Sequence, residues 1–438
     1  MHIILCLLGI FLMLPAMPEL ALAQEFHAGE PHSSKEHHYK GSVYNNGEVL
    51  TLSNAIKRAI ETSPRLKSVS ARLDAAKGSQ DQAGYWQNPE LYLEAENIAG
   101  SGAYSGTDSA EYSYGVSQKF EIGGKRSARK GAAMAIHNAA KLQLAAERLN
   151  LERDVHIAYE EVLAEAEALK LAIEQEKLAK EVMASVYKRV RAAAEPEIQL
   201  SKAEVAYSSS IIAREQEERQ LSIAKEKLAR LWGASTLDVS LDHAHFFDLQ
   251  APESLDSYKR KLTNVPDIQR FSYLHQEKQA NIAYEKAHNM PDPSLNMGIR
   301  SFNDTDDQAF LVGVSFPIPV WNQNKGNITK ANAELMQVES DMEQAKLMLE
   351  QQLIESWQHW NSSYSESERL KNKLLPAAEK AFTLARSGYQ KGKFAYLEVL
   401  DAQRTLFQAR SQFHEALKRY HSSRANVERL TTTSGETL

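Results

Sequence analysis

Asn88-Pro89-Glu90-Leu91-Tyr92-Leu93-Glu94, answered by Tyr112-Ser113-Tyr114-Gly115-Val116-Ser117, decides the fold, because the same plan returns later in the chain. The second copy is Pro291-Asp292-Pro293-Ser294-Leu295-Asn296-Met297, answered by Phe310-Leu311-Val312-Gly313-Val314-Ser315-Phe316. The spacing repeats as well: Pro64 to Pro89 and Pro266 to Pro291 are the same 25-residue step. Each copy reads as an apolar helix, a Pro-marked break, two short alternating strands and a very long helix. A repeat of this kind fixes the architecture before any other feature is weighed.

The strands alternate cleanly. Leu91, Leu93 and Ala95 share a face opposite Tyr92, Glu94 and Glu96, and Tyr112, Tyr114 and Val116 oppose Ser113, Gly115 and Ser117. Leu295, Met297 and Ile299 oppose Asn296, Gly298 and Arg300, while Phe310, Val312, Val314 and Phe316 form a fourth apolar row. Strands of about ten residues match a tilted crossing of a bilayer. Four strands cannot close on themselves, and open edges are forbidden in lipid because their backbone groups stay unpaired. Three chains sharing one wall would supply twelve strands and leave no edge. For the strands alone, soluble hairpins with one wet face are the simpler reading. The leader sequence and the long helices reverse that preference.

Residues 1–23 read as a secretory signal, with an apolar core from Ile3 to Met17 and Ala21-Leu22-Ala23 before Gln24 as the cleavage site. Cys6, the only cysteine among 438 residues, lies inside it, so a processed chain has no disulfide and no thiol chemistry. No later run of 18 apolar residues occurs, so a membrane crossing must use β-strands. The net charge of −6 argues against a nucleic-acid partner.

Residues 24–47 are a polar, His-rich arm; 48–233 form repeat 1, with its hairpin at about 89–121 and a helix tip near 192–197. Residues 234–253 are a linker, 254–431 form repeat 2, with its hairpin at about 293–318 and a tip near 388–394, and 432–438 are a tail. Between Lys125 and Ala194 there is one Gly and no Pro, enough for a helix of about 100 Å. Its stripe of Leu151, Val155, Ala158, Val162, Ala166, Leu169 and Ile173 steps at nearly 3.67 residues, which suits helices that run nearly straight. Pro376 falls inside the second long helix and is expected to kink it.

Three segments resemble the TolC family of outer-membrane efflux proteins, in the branch serving heavy-metal export of the cobalt–zinc–cadmium type. They are Asn88-Pro89-Glu90-Leu91 through Glu121-Ile122-Gly123-Gly124-Lys125-Arg126, Val314-Ser315-Phe316-Pro317-Ile318-Pro319-Val320-Trp321-Asn322, and Tyr389-Gln390-Lys391-Gly392-Lys393-Phe394-Ala395-Tyr396-Leu397-Glu398-Val399-Leu400-Asp401-Ala402. The resemblance implies a mainly α chain with a small β part. Its long helical hairpins would build a periplasmic α-barrel, and its four strands one third of a trimeric β-barrel in the outer membrane. The implied role is a passive exit duct, loaded by a periplasmic adaptor and an RND-type inner-membrane pump, with divalent metal cations as cargo. A multidrug or protein-secretion duct of the same family is the alternative within it. A structural coiled-coil envelope protein is the alternative outside it.

By the same resemblance, Tyr389, Gly392 and Lys393 belong to a gated tip, and Glu398 and Asp401 to acidic positions lining its constriction. Positions i and i+3 share a helix face, so threefold symmetry would ring the aperture with carboxylates that favour cations. The plainer reading is a pair of solvated charges. Arg189 matches a tip arginine of the family, or is a helix-end cation. Ala193 stands where a Gly is expected, and Gln199 where an acidic partner of the tip tyrosine can occur; Glu195 or Glu197 are the nearby substitutes. No catalytic, phosphate-loop or dinucleotide fingerprint is present, so no enzyme activity and no cofactor are expected. His243 and His245, and the arm's His27, His32, His37 and His38, are loop histidines able to capture a transition metal, though none is assigned as a site.

Overall fold

The computed structural model describes residues 49–237 and 239–433. The signal segment, the arm with its four histidines and residues 434–438 lie outside the described residues. In chain order the elements are β1 (Val49–Leu50), α1 (Leu52–Thr62), α2 (Pro64–Gln82), β2 (Glu90–Glu96), β3 (Glu111–Lys119), α3 (Lys125–Arg191), α4 (Glu197–Arg230) and β4 (Ser240–Leu241). Then follow α5 (Leu255–Lys261), α6 (Pro266–Ala287), β5 (Ser294–Phe302), β6 (Asp307–Ser315), α7 (Lys325–Arg369), α8 (Leu375–Gln390) and α9 (Tyr396–Thr431).

The repeat is visible in its punctuation. Pro64 and Pro266 open α2 and α6, where a missing N–H costs nothing. Both long helices start after a left-handed residue, Gly124 (φ 82°) before α3 and Asn324 (φ 54°) before α7. Each start is bolted to the end of the preceding helix. The Arg126 guanidinium donates to the Gly84 carbonyl, and the Asn324 amide donates to the Glu285 carbonyl and carboxylate.

Helix α3 is the spine. At 67 residues it spans about 100 Å. It packs on α2 and α6 nearer the strands and on α4 and α9 beyond them; α7 and α8 lie against α9 on the far side. The stripe expected along α3 is buried from Leu151 to Val162, then turns outward, leaving Ile173 exposed. Beyond it Ala172, Ala179 and Val186 take over the buried face. The main core gathers Leu151, Val155, Val162, Leu228, Trp232, Phe246 and Leu417 around the middle of the spine. There β1 and β4 pair in parallel, Leu50 opposite Leu241, and the Tyr159 hydroxyl donates to the Leu50 carbonyl at 2.7 Å.

Pro376 is preceded by a widened turn of the helix. The five residues Leu370–Leu374 form a π turn in which the Leu375 N–H reaches back to the Leu370 carbonyl. The widened turn admits the proline at the second position of α8.

Candidate functional site

Two regions carry the chemistry. The first is the four-stranded antiparallel sheet β2-β3-β5-β6, in which β3 and β5 join the two repeats. The register sets Leu91 beside Val116, Val116 beside Met297 and Met297 beside Val312. One face is therefore a continuous apolar surface, and it is uncovered: Leu91, Leu93, Phe310 and Val312 are 74, 76, 87 and 74 % exposed.

The opposite face is polar. Arg300 donates to Glu111 at 2.8 Å and to Ser113 at 2.9 Å, and its third nitrogen lies 2.9 Å from Glu96. Gly115 and Gly298 are paired across the register, and the Tyr92 hydroxyl lies over both. Within the chain, β2 and β6 each have a neighbour on one side only.

The second region is the pair of helix tips. At one, α3 ends in a left-handed Ala193 (φ 54°), with the Ala194 N–H donating to the Arg189 carbonyl. At the other, α8 ends in a left-handed Gly392 (φ 72°), with the Lys393 N–H donating to the Gly388 carbonyl. These closures are equivalent; Ala193 accepts a conformation that normally calls for Gly. A Cβ at Gly388 would sit inside the Phe394 ring, so that position must be bare.

The structure brings Arg189 and Tyr389 together. The guanidinium stacks over the ring at 4.7 Å, donates to the Tyr389 carbonyl at 3.4 Å, and lies 3.3 Å from the Glu195 carboxylate. Glu195 thus pairs with the arginine and not with the tyrosine, whose buried hydroxyl has no hydrogen-bond partner among the described residues. Tyr389 packs on Tyr396 at 6.0 Å within a small core of Val186, Ala203, Ala385 and Val399. Burial raises the phenol of Tyr389, Glu195 adding to it, and pushes Tyr396 up to about 12, so both stay neutral.

Glu398 and Asp401 lie on the first turns of α9, on the side away from the buried Tyr396 and Val399. Both are exposed and neither is ion-paired among the described residues. Lys393 is exposed beside them, and Gln199 is half-buried at the start of α4. His243 and His245 do not converge. His243 lies 3.7 Å from Glu167, and the 89 % exposed His245 pairs with Asp248 at 3.1 Å. A different set does converge, His156, Glu160 and His421, which the sequence reading passed over. The only local signal was the one-turn spacing of the first two.

Long helices bearing a sheet that is apolar on one face and polar on the other are the parts of a channel whose strands cross lipid. The chain belongs to the outer membrane efflux protein family, whose sequence profile matches residues 55–234 and 258–433. It is 27 % identical, over 87 % of its length and 90 % of the relative's, to the cobalt-zinc-cadmium resistance protein CzcC of Cupriavidus metallidurans. It is 25 % identical, over 82 % of its length and 80 % of the relative's, to the pyoverdine export outer membrane protein OpmQ of Pseudomonas aeruginosa. Among solved structures, CusC superposes with a TM-score of 0.74 at 19 % identity, covering 90 % of this chain and 96 % of the other. The outer membrane protein VceC of Vibrio cholerae gives 0.73 at 19 % identity, covering 87 % and 96 %. The protein is an efflux channel of the outer membrane and not an enzyme.

Proposed function

We propose that three copies of this chain close into one duct that exports divalent heavy-metal cations, handed on at the helix tips by a periplasmic adaptor and an inner-membrane RND-type pump. The observation that carries the trimer is the open sheet. Its outer face is apolar and uncovered, and its two edges run antiparallel to each other, so β6 of one copy can pair with β2 of the next and preserve the alternation. Twelve strands then leave no unpaired edge in the bilayer.

The edge helix α4 supports the same reading. It exposes Ile198, Val205 and Ile212 at seven-residue spacing, an apolar stripe suited to a neighbouring helix. Metal cargo is favoured by the cobalt-zinc-cadmium resistance relative and by the nickel-cobalt-cadmium resistance protein NccC of Alcaligenes xylosoxydans xylosoxydans, 22 % identical over 67 % of this chain and 66 % of that one. Glu398 and Asp401 serve as the acidic constriction, and Arg189, Ala193, Gln199, Tyr389, Gly392 and Lys393 as the tip surface that the adaptor loosens.

A deletion strain challenged with zinc, cobalt, cadmium and nickel, and in parallel with antibiotics and under iron limitation, tests the cargo. Metal sensitivity restored by the gene supports the reading. Normal metal tolerance with a loss of siderophore export or drug resistance overturns it. For the constriction, Glu398→Ala with Asp401→Ala in a planar bilayer should lower cation preference and weaken block by multivalent cations; unchanged selectivity removes the carboxylates from the aperture.

A further inference from the structure

We propose that His156, Glu160 and His421 form a site for one divalent first-row transition-metal ion, of the zinc, cobalt or nickel class, that ties α3 to α9. His156 and Glu160 are one turn apart on α3 and project from one face. His421 comes from the middle of α9. A ligand atom from each lies within 4.8 Å of the other two. Glu160 places Oε1 3.7 Å from His156 Nε2 and Oε2 3.8 Å from His421 Nε2.

Those separations are too long for hydrogen bonds. Glu160 is 8 % exposed, and its Oε2 has no hydrogen-bond partner among the described residues. A carboxylate oxygen buried in this way is expensive unless something positive meets it. Ligands about 2.0–2.1 Å from a tetrahedral ion stand about 3.3 Å apart, so the two Glu160 sides need close by only about half an ångström and the third, within 4.8 Å, by no more than about 1.5 Å.

The surroundings are those of a held ligand set. His156 turns its other nitrogen, Nδ1, toward the Glu428 carboxylate at 3.9 Å, and Arg424 donates to Glu428 at 2.8 Å. His421 stacks on the Phe246 ring at 5.4 Å, and its Nε2 donates to the Phe246 carbonyl at 2.9 Å, a bond that an incoming ion would displace. Glu428 thus stands on the side of His156 where a second carboxylate orients a metal-binding imidazole. Two nitrogens and one carboxylate suit zinc, cobalt or nickel better than the all-oxygen preference of magnesium or calcium.

The site lies mid-wall, away from both the strands and the tips, and it joins an element of repeat 1 to one of repeat 2. It would act as a clamp in the helix seam, and it stands or falls separately from the exit-duct reading. The test uses the full chain in detergent, stripped with a chelator and titrated with Co²⁺ while visible absorption and retained metal after desalting are recorded. A background with His27, His32, His37, His38, His243, His245, His275, His288 and His359 changed to Asn removes capture by these other histidines. In that background one cobalt per chain, with the intense bands of a low-coordinate site, is expected. His156→Gln or His421→Gln should lose it, and Glu428→Gln should weaken it by about 10–100-fold. A background chain that retains no cobalt, or cobalt retained equally by His156→Gln and His421→Gln, overturns the proposal. The first of these outcomes needs no variant at the site itself and so does not depend on whether the substituted helices fold.

Discussion

Ala193 and Gly392 occupy the same place in the two halves, and only one of them is suited to it. A side chain in the left-handed region costs about 1–2 kcal/mol, while glycine loosens the unfolded chain by about 0.4–1 kcal/mol. Ala193→Gly should therefore stabilise the α3–α4 tip by somewhat less than about 1 kcal/mol, and Gly392→Ala should destabilise its counterpart. Thermal melts followed by helical circular dichroism check both, and a lowered midpoint for Ala193→Gly would contradict the strain. Lys125 illustrates a residue whose motif misleads. Glu121-Ile122-Gly123-Gly124-Lys125 has a passing likeness to a phosphate loop, yet the ammonium is buried and donates to Asp292 Oδ1 and the Met290 carbonyl, both at 2.6 Å. It locks the start of α3 to the segment before β5. Burial alone would raise the Asp292 carboxyl, but the bonds from Lys125 and the Ile122 N–H outweigh it and hold it below the ordinary 3.8. The sign follows: this stabilisation is complete above that ordinary value and is lost as pH falls below it. Lys125→Ala, which strands a buried carboxylate, should cost about 3–5 kcal/mol, whereas Lys125→Met with Asp292→Leu should recover much of the loss. Equal melting of the single and double variants would show that the pair does not hold the junction.

Strands and long helices were legible because each spreads one period over many residues. Val49–Leu50 and Ser240–Leu241 were not, since two residues carry no alternation to read, and their pairing depends on a core that assembles only in three dimensions. The response to Pro376 was hidden for another reason. A proline announces a lost hydrogen bond, but whether the helix bends or widens depends on its neighbours, and here it widens. The convergence of His156 and Glu160 with His421 depended on the packing of α3 against α9, which no local pattern encodes. Within the sheet, the glycines make a sharper point than the apolar rows. Gly115 and Gly298 face each other beneath Tyr92, and a Cβ at Gly298 would come within 2.7 Å of the Tyr92 hydroxyl and of the Tyr114 carbonyl. Gly313, on the same face, has nothing nearer than the Asn296 amide at 4.0 Å. Gly298→Val should thus disrupt the sheet by about 1–3 kcal/mol or more through overpacking, and Gly313→Val should be tolerated. The yield of detergent-resistant oligomer on unheated gels separates the two, and equal yields would mean that Tyr92 has room to move.

At the scale of the whole molecule the decisive quantity is which side of the sheet meets lipid. Val312 and Asn296 lie in adjacent strands β6 and β5 but on opposite faces, Val312 near the middle of its strand in the uncovered apolar row and Asn296 on the face shared with Gly298 and Arg300. If the sheet were a pair of hairpins in water, an arginine at either place would be a surface charge of small consequence. In a bilayer the two differ. An arginine on the lipid-facing side near the midplane costs about 2–4 kcal/mol, while one on the lumen side keeps its hydration and alters only the permeating ions. Val312→Arg should therefore deplete the protein from the outer membrane and lower its stability, and Asn296→Arg should assemble normally with reduced cation conductance. A complementary reading uses the absence of any cysteine other than Cys6: Val312→Cys should react with a lipid-soluble thiol reagent and resist a charged one, and Gly313→Cys should show the reverse. Reactivity of Val312→Cys toward the charged reagent, together with a harmless Val312→Arg, would place the apolar face in water and leave the open edges β2 and β6 without a reason to meet.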